Sequence, residues 1–140
     1  MVRTALGLVL ALLISPAVAQ DGPPLSFFAG TFELVGRTPG ARGAPFVDWI
    51  KISEKDGRLA LKACRAGTGD LSPRKGRDEH ESQFSGRLGA WDLNCDYQVD
   101  RGNYARMTCF VRPEDSDPVP GLLTLWPVNW QAPAHADGCD

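Results

Sequence analysis

The chain has 140 residues, with 15 Lys and Arg against 17 Asp and Glu, a formal net charge of −2 and four cysteines. So mild a charge excludes the basic surface that nucleic-acid binding needs and the polybasic patch of a protein held on anionic lipid. The length suits one domain with a real core.

In chain order the first element is a leader. Arg3 supplies positive charge, Ala5 to Ile14 form a short apolar run, Ser15-Pro16 break it, and Ala17-Val18-Ala19 place small residues before a cleavage point. The run is too short to span a bilayer, and no spanning run follows it. Residues 1–19 are therefore expected to be a cleaved signal peptide, and 20–140 a single domain that is periplasmic or secreted. The leader has no Arg-Arg pair and no cysteine at its end, which favours the general secretion route without a lipid anchor. Removing nineteen of the 140 residues leaves 121, with fourteen basic against 17 acidic side chains.

Beyond the leader, short β-rich runs bounded by Gly, Pro, Asp and Asn dominate. Phe27 to Val35 alternates, with Phe28, Gly30, Phe32 and Leu34 on one face. Val47 to Ser53 places Ile50 and Ile52 on one face and Val47 and Trp49 on the other. Asp56-Gly57 is hairpin chemistry, and Arg58 to Cys64 then puts Leu59, Leu61 and Ala63 on one side. The stretch 65–81, with Gly67, Gly69, Pro73, Gly76 and mixed charges, reads as a polar loop that buries almost nothing. Gln83 to Leu88 is a strand with Phe84 and Leu88 on one face, and Gly89 marks a bend. Trp91 to Val99 and Tyr104 to Arg112 form a hairpin about Asp100-Arg101-Gly102-Asn103. Pro113 to Gly121 is a loop, Leu122 to Trp126 a last strand, and 127–140 an irregular tail.

An even cysteine count in an oxidising compartment reads as two disulfides. Cys95 and Cys109 are equidistant from Gly102 and face each other in the hairpin, where Trp91, Leu93, Cys95 and Tyr97 share a face that agrees in register with Met107, Cys109 and Val111. Cys64–Cys139 is the complementary bridge and would pin the tail to an earlier strand. The expected fold is all-β: a small antiparallel β-barrel or sandwich of six to eight strands, stapled by disulfides, with the barrel favoured because closure removes edges.

Phe28-Ala29-Gly30-Thr31-Phe32-Glu33-Leu34-Val35 resembles the G-x-W opening strand of the calycins, the lipocalin and avidin superfamily. Phe32 stands where that family has Trp, and the likeness covers about eight residues. The resemblance implies a β-barrel with an internal ligand cavity.

Chemistry-bearing residues are sparse. His80, within Asp78-Glu79-His80-Glu81, reads as part of a solvated charge run, and His135 as part of a tail held by Cys139. Asp115-Ser116-Asp117 begins like a calcium loop but lacks the Gly and the distant Glu, and Pro118 intrudes. No nucleophile elbow, zinc-protease helix motif or phosphate loop is present, so neither catalysis, nor a metal, nor a cofactor is expected. Four tryptophans exceed what a minimal core needs. Trp91 shares a face with Leu93 and reads as core. Trp49 lies opposite Ile50 and Ile52, and Trp126 and Trp130 either plug a barrel end or form an aromatic patch, so Trp49, Trp126 and Trp130 are the candidate ligand-binding residues. The expectation is a non-catalytic extracytoplasmic binding protein for a small apolar ligand or an envelope protein. The alternative is an inhibitor or immunity-type protein that blocks a secreted hydrolase with the 65–81 loop.

Overall fold

The computed structural model describes residues 22–75, 81–98, 104–113 and 119–128. A 3-10 helix, Leu25–Phe28, precedes eight strands: β1 (Gly30–Arg37), β2 (Pro45–Lys55), β3 (Arg58–Ala63), β4 (Thr68–Arg74), β5 (Glu81–Leu88), β6 (Trp91–Gln98), β7 (Met107–Pro113) and β8 (Gly121–Pro127). All pair antiparallel in sequence order, and β8 pairs back onto β1 to close a barrel. An eight-stranded closed meander is compatible with a calycin-like barrel. Tight turns make the order possible. Asp56 and Gly57, both at positive φ, join β2 to β3 as the two-residue turn whose twist suits a hairpin.

Inward side chains alternate along every strand, and together they fill the barrel. Phe32, Leu34, Ile50, Leu59, Leu71, Leu88, Met107, Val111, Leu123 and Leu125 belong to one buried cluster. Leu59, Leu71, Met107, Val111 and Leu123 expose 0% of their surface. A side chain that lined a cavity wide enough for water would expose area to a water-sized sphere, whether the cavity were open or sealed. These positions therefore line none.

Both ends are covered by aromatic rings. At the end where the chain enters, Phe28 meets Phe84 and Tyr97 edge-on with ring centroids 4.9 and 5.0 Å apart, and Phe27 adds a second ring on Tyr97 at 5.5 Å. At the opposite end Phe46 meets Trp91 at 5.2 Å, and the Arg65 guanidinium lies over Phe46 at 5.3 Å. Trp91 thus packs against the core as its shared face with Leu93 predicts.

Cys95 and Cys109 are paired in register between β6 and β7 and joined by a disulfide inside the barrel. Cys64 is also disulfide-bonded, and no described cysteine is free; its expected partner Cys139 lies outside the described residues. A disulfide is consistent with an oxidising, extracytoplasmic compartment. The leader, the Asp100–Asn103 turn, His80, His135 and Asp115–Asp117 also lie outside the described residues.

Two sequence expectations are corrected. Phe27 and Phe28 belong to the 3-10 helix, not to β1, because Pro24 enters at φ −62° and the backbone N–H of Phe27 closes a turn onto its carbonyl at 2.9 Å. The larger correction is at 65–81, where residues 68–74 are not loop but strand β4, with Leu71 wholly buried. Its glycine is a corner residue. A Cβ on Gly69 would meet the Arg87 carbonyl oxygen at 1.8 Å, and one on Gly86 of β5 would meet that of Asp70 at 1.9 Å. The two glycines let β4 and β5 approach where the wall bends.

Candidate functional site

The outer face formed by β7, β8, β1 and β2 breaks the alternation that the rest of the wall obeys. On β8, Leu123 and Leu125 point inward, yet Leu122 and Trp126 on the opposite face are also apolar, and are 48% and 51% exposed. On β7, Phe110 is outward and 51% exposed between buried Cys109 and Val111. On β1 and β2, Val35 and Val47 are outward and exposed.

Register assembles these residues into three rows. Phe110 pairs with Leu122, and Leu122 with Arg37. One row further, Val47 pairs with Val35, Val35 with Thr124, and Thr124 with Thr108. In the third row Trp49 and Trp126 both pair with Glu33, one from each side. The structure thus brings two of the predicted tryptophans onto one surface, on either side of a single β1 residue. Trp126 does not plug a barrel end; Phe27 and Phe28 cover the end that it adjoins. Trp130 lies outside the described residues.

Charge sits at the margins of this face. Arg37 and Arg112 are exposed beside Leu122 and Phe110, and the Arg106 guanidinium lies over the Trp126 ring at 5.1 Å. Glu33 is the one acidic outward residue on β1, β7 and β8 among those described. Exposed rings and aliphatic groups with guanidinium groups at two of their margins make a surface suited to apolar contact with carboxylate partners at its border.

The buried carboxylate of Asp48 borders the site but is committed to structure. Its Oδ2 accepts the backbone N–H groups of Arg65 at 2.8 Å and Ala66 at 2.9 Å, and its Oδ1 accepts that of Trp49 at 2.8 Å. It ties the β3–β4 connection to β2, and the Arg65 guanidinium reinforces the tie through the Val47 carbonyl at 3.3 Å.

A shallow surface depression lies at Lys55, Asp56, Arg58, Ala60 and Asp70. Two of its charges, Arg58 and Asp70, pair at 3.3 Å, and Ala60 is its one apolar wall. No three His, Cys, Asp or Glu side chains among the described residues converge as metal ligands. No helix among them is long and apolar enough to cross a membrane.

Sequence reasoning placed Val47 opposite Ile50 and Ile52, as found, but missed Val35, Phe110 and Leu122 as surface residues. The available signal was the unbroken apolar runs Leu122-Leu123 and Cys109-Phe110-Val111, which leave one apolar side chain on each face of a strand. A scan against protein-family models returns no match for this chain, and a search of curated proteins returns none either.

Proposed function

We propose that this protein is a non-catalytic, extracytoplasmic binding protein, periplasmic or secreted, that captures a protein partner on the outer face of β7, β8, β1 and β2. One observation carries the reading: a contiguous set of exposed apolar side chains, Phe110, Leu122, Val35, Val47 and Trp126, on a wall whose other half is polar. Folding does not require it, since the barrel needs only its inner face to be apolar.

Of the two expected targets, a small apolar ligand is the less supported, because Leu59, Leu71, Met107, Val111 and Leu123 line no water-sized space. The calycin resemblance implies a ligand cavity, but here Phe32, Leu34 and Met107 are buried to 2% exposure or less. An inhibitor with an inserted loop at 65–81 loses residues 68–74 to the barrel wall, which favours the outer face as the binding surface. The partner favoured by charge is one with an apolar patch edged by Asp and Glu. A second copy of this chain is disfavoured, because a self-docked face would set Arg37 and Arg112 against their own kind.

The test is affinity capture from an envelope extract with three baits: the wild type, the double variant Phe110→Asp/Leu122→Asp, and a control, Lys62→Glu, on the polar half. A protein retained by wild type and control, lost with the double variant, and released by rising salt supports the reading. Equal retention by all three baits sinks it.

A further inference from the structure

We propose that the Cys95–Cys109 bond forms before the barrel closes: the substrate of the oxidising reaction is an open sheet on which β8 has not yet docked. The order is set by the barrel itself and is independent of the partner proposed above.

Access is the first observation. Cys95 and Cys109 each expose 1% of their surface and belong to the core cluster. Their inward neighbours along β6 and β7 are Leu93, Tyr97, Met107 and Val111, all exposed by 3% or less. Across the strands, Cys95 stands opposite Phe84 of β5 and Cys109 opposite Leu123 of β8, exposed 2% and 0%. Thiol–disulfide exchange needs an attacking sulfur to reach one of the pair and form a mixed disulfide with it. The packed interior of the closed barrel admits no such partner, protein or small molecule.

Topology is the second. The strands pair in sequence order, and the last strand makes the seam, because β8 joins β7 on one side and β1 on the other. Without β8, β7 is an edge strand, and the two cysteines lie on the inner face of the two strands next to that edge. Leu123 and Leu125, which pair with Cys109 and Met107 in the closed barrel, are then away from them. The open sheet therefore presents both sulfurs, and docking of β8 withdraws them. Every residue of the β6–β7 pair also precedes β8 in the chain.

The reaction on the open sheet is an exchange with a disulfide-bearing oxidant. The thiolate of one cysteine attacks the oxidant's disulfide and expels one of its sulfurs as a thiol. The thiolate of the other cysteine attacks the mixed disulfide and expels the second sulfur. The Cys95–Cys109 bond forms, both cysteine protons end on the departing dithiol, and two electrons reduce the oxidant. After closure the bond is shielded from reducing thiols by the same packing that shields it from oxidants.

Two measurements on the full mature chain test this order. In the first, dithiothreitol is added to folded protein and alkylation of Cys95 and Cys109 is followed by mass spectrometry. Labelling should be roughly a hundredfold slower than in the urea-unfolded chain, because it waits on opening of the barrel. Leu123→Ala should speed it more than Leu59→Ala does, with urea used to bring the two variants to equal stability. The first substitution loosens the strand over Cys109, the second a strand on the far side of the barrel. In the second measurement, chain reduced in urea is diluted with oxidised glutathione present from the start, or with it added after near-UV circular dichroism has reached the folded value. Bonding should complete in the first case and stall in the second. A reduced chain that gains the folded signal only after oxidant arrives also supports the order, and that arm decides if a variant does not fold. Rapid bonding of Cys95 to Cys109 under an unchanged folded signal overturns the proposal. So does labelling of folded protein as fast as of the unfolded chain, or equal acceleration by the two variants.

Discussion

The two halves of the barrel wall share one interior and differ outside. Inside, Leu34 and Ile50 on one half and Leu71 and Leu93 on the other are all buried to 3% exposure or less. Outside, β3 to β6 present Lys62, Asp70, Arg87, Asp92, Asn94 and Asp96, whereas β7, β8, β1 and β2 present Phe110, Leu122, Trp126, Val35 and Val47. An apolar lumen with this many charges outside is the reverse of the layout of a barrel that crosses membranes. The contrast teaches that the fold constrains only the inner positions. The five large apolar groups exposed on one half are the ones that the proposed binding role accounts for.

The largest effect expected on the polar half comes from its least strand-like member. Leu71 is the one large apolar side chain of β4, and it is fully buried. Leu71→Ala should cost about 3 kcal/mol by denaturant unfolding, with the spread of about 2–5 seen for such core truncations. Its outward neighbour Ser72→Ala should fall within about 0.5 kcal/mol. A Leu71→Ala loss as small as that of Ser72→Ala would mean that residues 68–74 are loop after all.

Next in size is the tie between the halves. Asp48→Ala removes the acceptor for the backbone N–H groups of Arg65 and Ala66 and for that of Trp49. Orphaning part-buried donors together with their shared acceptor costs about 1–3 kcal/mol. We expect a loss of about 2 kcal/mol, with faster amide exchange at Arg65 and Ala66 and no change in the β6–β7 amides. Unchanged exchange at Arg65 and Ala66 would remove Asp48 from this role.

What the sequence made legible follows from what alternation can report. The Cys95–Cys109 pairing, the Asp56-Gly57 turn and the inner faces of β2, β3, β5 and β6 were readable, because each rests on a period of two between clear turn residues. β4 was not. Thr68-Gly69-Asp70-Leu71-Ser72-Pro73-Arg74 has one apolar side chain, and its Gly and Pro are the residues that punctuate loops. Only the tertiary setting, with Gly69 and Gly86 at a bend of the wall, turns it into a strand. The site was half legible. Trp49 and Trp126 were singled out for excess aromatic content, but that both flank Glu33 depends on β8 closing onto β1, a pairing between sequence ends that no local pattern contains. Phe110 and Leu122 went unnoticed because an apolar residue in a strand reads as core.

The arginine border offers a subtler test. Arg37→Gln and Arg112→Gln leave the apolar contact intact and remove only long-range attraction. Each should slow association with the captured partner by about tenfold at low salt and have little effect near physiological salt, with dissociation nearly unchanged. Stopped-flow or biosensor traces separate the two rates. A change confined to dissociation would mean that these guanidinium groups make direct buried contacts, and the border would have to be redrawn as part of the interface.

The smallest effect belongs to the polar half again. Arg58 and Asp70 pair across β3 and β4 at 3.3 Å, with side chains 58% and 49% exposed. Water screens such a pair, and holding two long side chains in one geometry costs entropy, so exposed pairs are worth about 0.2–1 kcal/mol. Arg58→Ala should therefore lower stability by about 0.3 kcal/mol, fading as salt is raised. The measurement matters beyond its size because the depression between Lys55 and Asp70 is the competing surface on this half. If Arg58→Ala left stability alone but reduced partner capture as strongly as Phe110→Asp/Leu122→Asp, the polar half would share in binding, and the division of labour between the two outer faces would fail.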